Sequence, residues 1–394
     1  MRRLSELAID GRRVFVRVDF NVPLDGGRVS DATRIEASLP TLRWILRGDG
    51  RPIVASHLGR PKGVRTEKYS LAPVAERLAG LLGHPVRLAT DCIGGVVEAQ
   101  AAQLPAGEVL LLENLRFHPG EEKNDPAFAR RLAALGNCYV NDAFGAAHRA
   151  HASTAGMVSH FHGRAAAGLL LEREVTFLSR LLVAPERPFL AVLGGAKVSD
   201  KIAVIESLLT RVQGICIGGA MAYTFLKAQG RPVGRSLVED DKVPVARDVL
   251  AHARARGVDL LLPTDHVVAD RPEAGATSRT VSAEAFPADL LGADIGPETA
   301  RRYADAVAAA RTVFWNGPMG IFEVPAFSAG TRAVADALAR CRGTTVVGGG
   351  DSIAALAQAG KLSTVTHVST GGGASLEFLE GKELPGVRAL EDAA

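Results

Sequence analysis

Short runs of apolar and β-branched residues recur along the chain, and amphipathic segments separate them. In the first half, the predicted strands are Val14–Val18, Ile53–Ser56, Val109–Leu112, Cys138–Asn141 and Ala166–Leu169. In the second half, they are Phe189–Leu193, Ile215–Gly218, Asp259–Leu262, Val313–Trp315, Thr345–Val347 and His367–Ser369. The predicted helices between them include Leu39–Leu46, Ala72–Leu82, Ala127–Leu135, Ile202–Val212, Val245–Arg256, Glu298–Ala310 and Ala329–Cys341. Continuous apolar strands that alternate with helices indicate parallel sheets covered on both faces. The predicted fold class is therefore α/β, with two doubly wound, Rossmann-like parallel-sheet lobes.

The length of the chain and one helical segment predict how the lobes are divided. A chain of 394 residues exceeds what one hydrophobic core usually serves, so we expect two domains. The segment Leu170–Val183 has the pattern of a helix, and the breaker Ala-Pro-Glu-Arg-Pro follows it at 184–188. We therefore predict a first lobe at 1–170, an interdomain helix at 171–183 and a second lobe at 184–370. A helix between lobes gives a stiff coupling.

Composition excludes several classes of protein. No stretch approaches the roughly 20 apolar residues of a membrane span, and the N-terminus shows no signal-peptide pattern, so we expect a cytoplasmic protein. The formal net charge of +3 is too small to indicate a nucleic-acid partner. The four cysteines are scattered without Cys-x-x-Cys spacing, which favours reduced core thiols over a disulfide or a zinc site.

Basic side chains follow several predicted strands of the first half. The carboxyl ends of parallel strands meet at one edge of a sheet, where ligands bind. Arginine forks suit phosphate and carboxylate groups because they form two parallel hydrogen bonds. The residues at these strand ends, together with Arg34 at the start of a predicted helix, are Asp19, Asn21, His57, Arg60, Arg116, His148, Arg149 and His151. Their placement predicts a site for a small anion.

Each of these residues also has a structural interpretation. A single arginine can be a solvated surface residue, although a cation in the first turn of a helix opposes the helix dipole, which makes Arg34 informative. The three histidines are interpreted as structural groups rather than general bases. Asp19 and Asn21 either shape a turn or bind a substrate hydroxyl.

Glycine-rich junctions follow strands in the second half. Such turns present backbone N–H groups at the start of a helix, which is a ready anion site. One junction of this kind is common, whereas several in one lobe indicate a nucleotide. None has the P-loop pattern G-x-x-x-x-G-K-[ST]. The junctions are Gly194–Lys201, Gly218-Gly219, Gly348–Ser352 and Gly371–Ala374.

Charged residues beside these junctions are candidate nucleotide contacts. Lys197 and Lys201 would share one face if their segment is helical, because they are four residues apart. Asp351 either caps a helix or lies near a phosphate-bound Mg²⁺. Glu323, which ends the segment Trp315–Glu323, can accept hydrogen bonds from ribose hydroxyls. We expect any Mg²⁺ to arrive with the nucleotide, since no acidic cluster is dense enough to hold it alone.

Together these segments resemble the phosphoglycerate kinase family over essentially the whole chain and in the family's order. In the first half the matching motifs are Val18-Asp-Phe-Asn-Val-Pro23, Ser56-His-Leu-Gly-Arg-Pro61, Leu112-Glu-Asn-Leu-Arg-Phe117, Asn141-Asp-Ala-Phe-Gly145 and Ala147-His-Arg-Ala-His151. In the second half they are Gly194-Gly-Ala-Lys-Val-Ser-Asp-Lys201, Trp315-Asn-Gly-Pro-Met-Gly320, Gly348-Gly-Gly-Asp-Ser352 and Ser369-Thr-Gly-Gly-Gly-Ala-Ser375.

The resemblance implies substrates, a cofactor and site residues. The expected substrates are 3-phosphoglycerate or 1,3-bisphosphoglycerate and ATP or ADP, with Mg²⁺ and without nucleic acid or membrane partners. It also implies a monomer whose C-terminal segment, 371–394, returns to the first lobe. The implied 3-phosphoglycerate ligands are Asp19, Asn21, Arg34, His57, Arg60, Arg116 and Arg149. The implied nucleotide contacts are Gly194, Lys197, Lys201, Gly218, Asn316, Glu323, Gly349, Gly350, Asp351 and Ser352. Arg34 and Lys197 would be the catalytic cations, and Asp351 would lie near the Mg²⁺.

Two other functions compete with this interpretation. A Rossmann dehydrogenase requires G-x-G-x-x-G in its first unit, where this chain has Asp19-Phe-Asn-Val-Pro23. A two-lobed binding protein for small anions would explain the arginines but not the second set of phosphate loops.

The family's chemistry also agrees with the residues present. A carboxylate nucleophile is ionised at pH 7, so its phosphorylation needs positioning and charge neutralisation rather than a general base.

Overall fold

The computed structural model describes residues 1–394, which form two compact units. The first unit comprises Met1–Thr176 together with Glu383–Ala394, and the second comprises Phe177–Lys382. The chain rejoins the first unit at Glu383, within the segment 371–394 whose return to the first lobe the resemblance implies. The boundary at 176–177 falls inside a helix, Leu169–Val183, which is the helix predicted between the lobes.

The first unit contains eight strands and five helices before that shared helix. Its strands are β1 (Arg13–Arg17), β2 (Leu24–Asp25), β3 (Arg28–Val29), β4 (Arg51–Ala55), β5 (Val86–Leu88), β6 (Val109–Leu111), β7 (Cys138–Asn141) and β8 (Ala165–Ala167). Its helices are α1 (Thr33–Arg47), α2 (Ala72–Leu82), α3 (Gly95–Ala102), α4 (Pro119–Glu122) and α5 (Pro126–Ala133), and α6 is the shared helix Leu169–Val183. Six strands form one parallel sheet in the order β5-β6-β4-β1-β7-β8, and β2 and β3 form a small antiparallel hairpin.

The second unit repeats the parallel architecture and adds a smaller sheet. Its strands are β9 (Phe189–Leu193), β10 (Gly214–Ile217), β11 (Asp259–Leu261), β12 (Asp265–Ala269), β13 (Ser278–Ser282), β14 (Leu291–Ile295), β15 (Thr312–Asn316), β16 (Thr344–Gly348) and β17 (His367–Ser369). Its helices are α7 (Ile202–Leu208), α8 (Met221–Ala228), α9 (Val243–Ala255), α10 (Pro297–Ala309), α11 (Ala329–Arg340), α12 (Gly350–Gln358) and α13 (Gly373–Leu379). The parallel sheet has the order β11-β10-β9-β15-β16-β17, and β13-β12-β14 form an antiparallel sheet.

The predicted α/β class with two parallel-sheet lobes is confirmed. Every strand predicted from an apolar run is present, because strands covered on both faces carry continuous apolar sequence; all five residues of β9 are buried. The sequence missed β5 and the antiparallel sheet. All five residues of β13 are at least partly exposed, so no apolar run marks this strand.

Each unit has its own apolar core between the parallel sheet and its helices. In the first unit, Val16 of β1 packs in one cluster with Leu42 of α1 and Leu78 of α2. In the second, Trp315 of β15 and Tyr303 of α10 belong to a separate cluster. The longest helices have 15 residues, and none combines the length and the apolar character needed to cross a membrane.

The C-terminal residues of the chain are bound to the first unit. A last helix, α14 (Pro385–Asp392), begins where the Gly386 amide donates to the Ala147 carbonyl at 2.8 Å. At its other end the Gly163 amide donates to the Ala393 carbonyl, also at 2.8 Å. A Cβ at position 386 would lie 3.1 Å from the Cα of Ala147, so this close approach favours glycine.

A buried carboxyl group lies at the N-terminus of α6. Asp142 follows β7, is fully buried, and its Oδ1 accepts the amides of Leu170 at 2.9 Å and Leu171 at 3.4 Å. Its other oxygen, Oδ2, has no hydrogen-bond partner. Burial raises the pKa of Asp142 from 3.8 to about 7, although hydrogen bonds, including those from the two amides, act in the opposite direction. The folded protein therefore holds this proton more tightly than the unfolded chain does.

We expect Asp142→Asn to make the first unit less sensitive to pH. Because the folded pKa is raised, the stabilising contribution of Asp142 is complete below about pH 4 and is lost as the pH rises through about 7. An amide keeps the acceptor for α6 and never ionises, so the variant should be more stable than wild type at pH 8, by at most about 4 kcal/mol. Urea denaturation of both proteins at pH 5 and pH 8 measures this difference.

Asp142→Ala is the matched control for this prediction. It removes the acceptor for the two α6 amides as well as the charge, so it should be less stable than Asp142→Asn at both pH values. If Asp142→Asn loses stability equally at pH 5 and pH 8, the carboxyl group is ionised throughout and the assigned pKa direction is wrong.

Candidate active site

The first of two polar sites lies at the carboxyl edge of the first unit's sheet. Asp19 and Asn21 follow β1, and Arg34 is the second residue of α1. Arg34 Nη1 donates to Asp19 Oδ2 at 3.0 Å and to the Asn21 carbonyl at 3.3 Å. The side-chain oxygen of Asn21 accepts the Gly59 amide at 2.8 Å, which ties the segment after β1 to the segment after β4. Asp19 and Asn21 therefore shape the turn, and the guanidinium of Arg34 stays about one-third exposed.

His57 lies behind this turn as a neutral side chain. Its Nδ1 lies 3.2 Å from Arg17 Nη2, and since a guanidinium only donates, Nδ1 is the acceptor. Burial, followed by the charges of Arg17, Arg116 and Arg34, holds the pKa of His57 well below its ordinary value of 6.5. His57 contributes hydrogen bonding to the site but no positive charge at neutral pH.

Arg17, the last residue of β1, is a buried cation that the sequence analysis did not single out. It is fully buried, and its Nε donates to Ser153 Oγ at 2.7 Å. Ser153 in turn donates through Oγ to Glu121 Oε1 at 2.5 Å and through its amide to Glu121 Oε2 at 3.0 Å. Burial raises the pKa of Glu121, while Arg17 and Ser153 act to lower it. The three residues form a buried chain of hydrogen bonds that fixes Arg17 beneath the site.

Two further arginines, Arg116 and Arg149, lower the pKa of buried histidines at this site. Arg116 Nη1 donates to the Gly59 carbonyl at 2.9 Å, and its Nε lies 3.4 Å from Glu122 Oε1. Burial, together with Arg17, Arg116 and Arg149, lowers the pKa of His151 to about 3. The charges of these arginines and of Arg34 therefore converge on one edge of the sheet. We call them the basic cluster: Arg17, Arg34, Arg116 and Arg149.

Arg60 is another of the 3-phosphoglycerate ligands that the resemblance implies. It is exposed on the segment after β4 and takes part in none of the hydrogen bonds described above. Arg149 is also exposed, although its charge reaches His151. Both side chains are free to turn toward a ligand at this edge.

The second polar site is a cavity of about 400 Å³ at the carboxyl edge of the second unit's sheet. Glycines from four strand-to-helix junctions form much of its wall, so we call it the glycine-lined cavity. Its lining residues are Gly194, Gly195, Ala196, Lys197, Asp200, Lys201, Asn316, Gly317, Gly349, Gly350, Asp351, Ser352, Gly372, Gly373 and Leu376.

Glycine is required where two of these junctions meet. A Cβ at Gly194 would collide with the carbonyl oxygen of Pro318, and one at Gly317 would collide with the carbonyl of Gly194. Gly317 also has a φ of 98°, which side chains rarely tolerate. The Gly317 amide donates to Ser352 Oγ at 2.6 Å, so the junction after β15 is hydrogen-bonded to α12. Because Gly194 and Gly317 have no side chain, their backbone can also lie close to a ligand in the cavity.

Two lysines supply positive charge to the glycine-lined cavity. The condition for a shared helix face is not met, because α7 begins only at Ile202 and Lys201 is its N-cap residue. Lys197 is exposed, whereas Lys201 is partly buried and donates to Asn316 Oδ1. Burial lowers the pKa of Lys201 to about 8, although Asp200 and Asp351 act to raise it. Tertiary structure, not helical spacing, brings both lysines to this cavity.

The two interpretations of Asp351 are separated by the geometry of α12. The N-cap residue of this helix is Gly349, and no side chain caps it. Asp351 lies in the first turn, exposed and lining the cavity. Its carboxylate therefore faces any ligand in the cavity instead of capping the helix.

A second cavity, of about 480 Å³, shares Gly195, Ala196 and Asp351 with the first. Its wall is largely apolar, so we call it the apolar cavity. It is lined by Gly195, Ala196, Gly219, Ala220, Tyr223, Arg235, Leu237, Pro272, Leu291, Gly292, Ala293, Asp294, Pro318, Met319, Gly320, Ile321, Glu323 and Asp351. The predicted contact Glu323 lines this cavity, whereas Gly218 lines neither cavity and its neighbour Gly219 lines this one.

Comparison with known proteins identifies the family. The family model described as "Phosphoglycerate kinase" matches residues 4–382. This chain belongs to the phosphoglycerate kinase family. It is therefore a kinase, a phosphotransferase of glycolysis.

Individual members of the phosphoglycerate kinase family are similar over the full length. A phosphoglycerate kinase of Moorella thermoacetica is 59% identical over 389 residues, which cover 99% of this chain and 98% of the relative. One from Anaeromyxobacter dehalogenans is 58% identical over 395 residues, with 100% of both chains covered. A solved structure of phosphoglycerate kinase from Coxiella burnetii has a TM-score of 0.89 at 41% identity and covers 99% of this chain and 98% of that one.

The sequence analysis missed two parts of these sites. Arg17 was hidden inside a predicted strand, and its only signal was a charged residue among the apolar residues of β1. The apolar wall of the second cavity includes residues of β14, which belongs to the unpredicted antiparallel sheet. Arg17 lies beside His57, a predicted contact of 3-phosphoglycerate, and the residues of β14 line the same cavity as Glu323, a predicted contact of the nucleotide.

Proposed function

We propose that the two sites bind the two substrates of a phosphoglycerate kinase separately. The basic cluster of the first unit binds 3-phosphoglycerate or 1,3-bisphosphoglycerate, and the cavities of the second unit bind ATP or ADP. One observation carries this proposal: the arginines of the basic cluster lie in the first unit, whereas the glycine-lined cavity, with its backbone amides and two lysines, lies in the second. Arginine forks suit the carboxylate and phosphate of a small acid, and glycine junctions suit a polyphosphate.

The nucleotide fits the two adjoining cavities in one orientation. Its phosphates would occupy the glycine-lined cavity, beside Lys201 and the amides at the start of α12. Its base and ribose would occupy the apolar cavity, where Glu323 can accept ribose hydroxyls. The residues that the two cavities share lie where the phosphate chain would pass from one to the other.

The residues of the glycine-lined cavity also fit a Mg²⁺ ion held mainly by the nucleotide. Mg²⁺ is usually bound by one or two carboxylates and by substrate phosphates. Asp351 offers such a carboxylate, because it lines the cavity and does not cap α12. The ion would neutralise phosphate charge, while Lys201 and Asp351 would orient the phosphate chain.

The acceptor in this mechanism is a carboxylate that needs no general base. His57 and His151 are neutral at pH 7, because burial and the arginines lower the pKa of each. They are therefore neutral groups beside the arginines, and neither is needed to move a proton. Catalysis then depends on positioning and on neutralising charge at the transferring phosphoryl group. The partly exposed Arg34 and the exposed Lys197 are the cations assigned to this task, and closure of the two units would bring them together and exclude water.

Two further properties are part of the proposal. We infer that the enzyme acts as a monomer, as the resemblance to the phosphoglycerate kinase family implies. We also infer that it is cytoplasmic, in agreement with four cysteines that are all free.

Arg149→Ala is expected to weaken 3-phosphoglycerate binding and leave the nucleotide dissociation constant nearly unchanged. A lost charge-assisted contact costs about 1.5–3 kcal/mol, or roughly 10- to 150-fold in affinity. An assay with MgATP and 3-phosphoglycerate, together with titration of each ligand, measures both effects. Arg164→Ala, which removes an exposed arginine outside the basic cluster, should change neither affinity.

A selective loss of ATP affinity in Arg149→Ala would show that the basic cluster has been assigned to the wrong substrate. Absence of phosphoryl transfer by the wild-type protein in the same assay would contradict the proposed reaction itself.

A further inference from the structure

Three side chains with metal-binding atoms meet at the outer end of the first unit's sheet. Asp91 and Cys92 follow β5, and His118 follows β6, the neighbouring strand. One ligand atom from each residue lies within 4.8 Å of the other two. The segments are also joined through the backbone, since the Glu113 amide donates to the Asp91 carbonyl at 3.4 Å. The cluster belongs to the first unit, whereas the cavities that we assign to the nucleotide belong to the second.

The cluster combines a buried thiol with two accessible ligands. Cys92 is fully buried, whereas the side chain of Asp91 is 41% exposed and that of His118 is 29% exposed. Asp91 Oδ1 lies 2.6 Å from His118 Nε2 and accepts the Cys92 amide at 2.6 Å. The thiol therefore forms the floor of the cluster, and the carboxylate and imidazole form its solvent side. An ion can enter from that side.

We propose that Asp91, Cys92 and His118 bind a divalent transition-metal ion of the zinc class. Thiolate, imidazole and carboxylate are the three ligand types that Zn²⁺ takes in proteins, and water would complete a tetrahedron. Mg²⁺ and Ca²⁺ prefer oxygen ligands alone, so this set discriminates against them. The site is distinct from the place of Mg²⁺ beside Asp351.

The arrangement needs only a small adjustment to hold such an ion. Zn–S bonds are about 2.3 Å and Zn–N bonds about 2.0–2.1 Å, so neighbouring ligand atoms of a tetrahedral site lie roughly 3.3–3.6 Å apart. The ion would separate Asp91 Oδ1 and His118 Nε2 slightly from their present 2.6 Å and draw the thiol closer. Asp91 and His118, whose side chains are both partly exposed, would rotate slightly to provide this movement.

Burial, then the charges of Asp91 and Glu121, raise the pKa of the Cys92 thiol well above its ordinary value of 9.0. Without metal, Cys92 is therefore a neutral, unreactive thiol, as expected for a buried cysteine. The proposed ion would have to displace the thiol proton, as metal ions do when they bind cysteine.

Titration with Co²⁺, a spectroscopic substitute for Zn²⁺, tests the proposal on the intact, metal-free enzyme. We expect one Co²⁺ per chain and a thiolate-to-cobalt charge-transfer absorption. Cys92→Ser should abolish this absorption, and His118→Asn should weaken Co²⁺ binding by about tenfold or more. Zn²⁺ added afterwards should displace Co²⁺ and remove the absorption.

Controls separate this site from other thiols and imidazoles. Cys341→Ser changes a partly exposed cysteine, and His84→Asn changes a partly exposed histidine, so both should titrate as wild type does. His118 is partly exposed, so His118→Asn keeps the test decisive even if Cys92→Ser fails to fold. The proposal is overturned if wild type shows no charge-transfer absorption, or if His118→Asn binds Co²⁺ as tightly as the controls do.

Discussion

Replacing Lys197 by alanine should lower kcat by about 10²–10³-fold and leave KM for both substrates nearly unchanged. Lys197 is exposed at the wall of the glycine-lined cavity and has no hydrogen bond to the protein, unlike Lys201. A mobile cation of this kind contributes most when it meets the phosphoryl group during transfer. An interaction made only in the transition state raises kcat without tightening either ground-state complex. Steady-state kinetics with both substrates varied measures this effect.

Lys201→Ala is the informative comparison for Lys197→Ala. Lys201 is partly buried and is held by Asn316, so we assign it to ground-state nucleotide binding. Its removal should raise KM for ATP more than it lowers kcat. Lys227→Ala, which removes an exposed lysine paired with Asp240, should affect neither constant. If Lys197→Ala raises KM for ATP at unchanged kcat, Lys197 is a binding residue and its catalytic assignment is wrong.

Arg17→Met should strongly destabilise the first unit. The substitution removes the nearer of two cations that offset the charge of buried Glu121, and it removes the donor to Ser153 and His57. Removing one member of a buried charged network costs up to about 3–5 kcal/mol. Arg13→Met at the other end of β1 is the matched control, because Arg13 is only partly buried and should cost much less.

The two tryptophans allow the loss to be assigned to one unit. Trp44 lies in the first unit and Trp315 in the second, so a Trp315→Phe background leaves Trp44 as the only tryptophan reporter. Urea denaturation followed by Trp44 fluorescence then gives the free energy of unfolding of the first unit. Adding Glu121→Gln to Arg17→Met should recover part of the loss, since coupled neighbours show interaction energies of about 0.5–3 kcal/mol. Strictly additive effects would contradict the buried chain of hydrogen bonds.

The apolar pattern alone predicts most of the framework of this protein. Parallel strands covered on both faces must be apolar throughout, so β9 and β15 are visible as continuous runs. The antiparallel strands β12–β14 were missed because β13 is exposed along its length, and because buried polar residues interrupt the apolar runs of β12 (Asp265, His266) and β14 (Asp294). The wall of the apolar cavity was therefore unpredictable from periodicity, although the glycine junctions beside it were evident.

Some features of the first site follow from where strands end, whereas others depend on side-chain contacts between segments. Rules for the ends of parallel strands placed Asp19, His57 and Arg116 at one edge, because connectivity determines where strands end. The same rules could not reveal that Arg17 is fixed by Ser153 and Glu121, since that chain joins three distant segments through side chains.

Sequence by itself determined the α/β class, the two parallel sheets and the strand ends that carry chemistry, because these follow from local periodicity and from short motifs. Tertiary structure decided which side chains meet. It placed Lys197 and Lys201 in one cavity without a shared helix face, and it brought Cys92 to His118. The physical reason is that burial, hydrogen bonding and charge at each site depend on segments that are distant in the chain, and no local pattern records those distances.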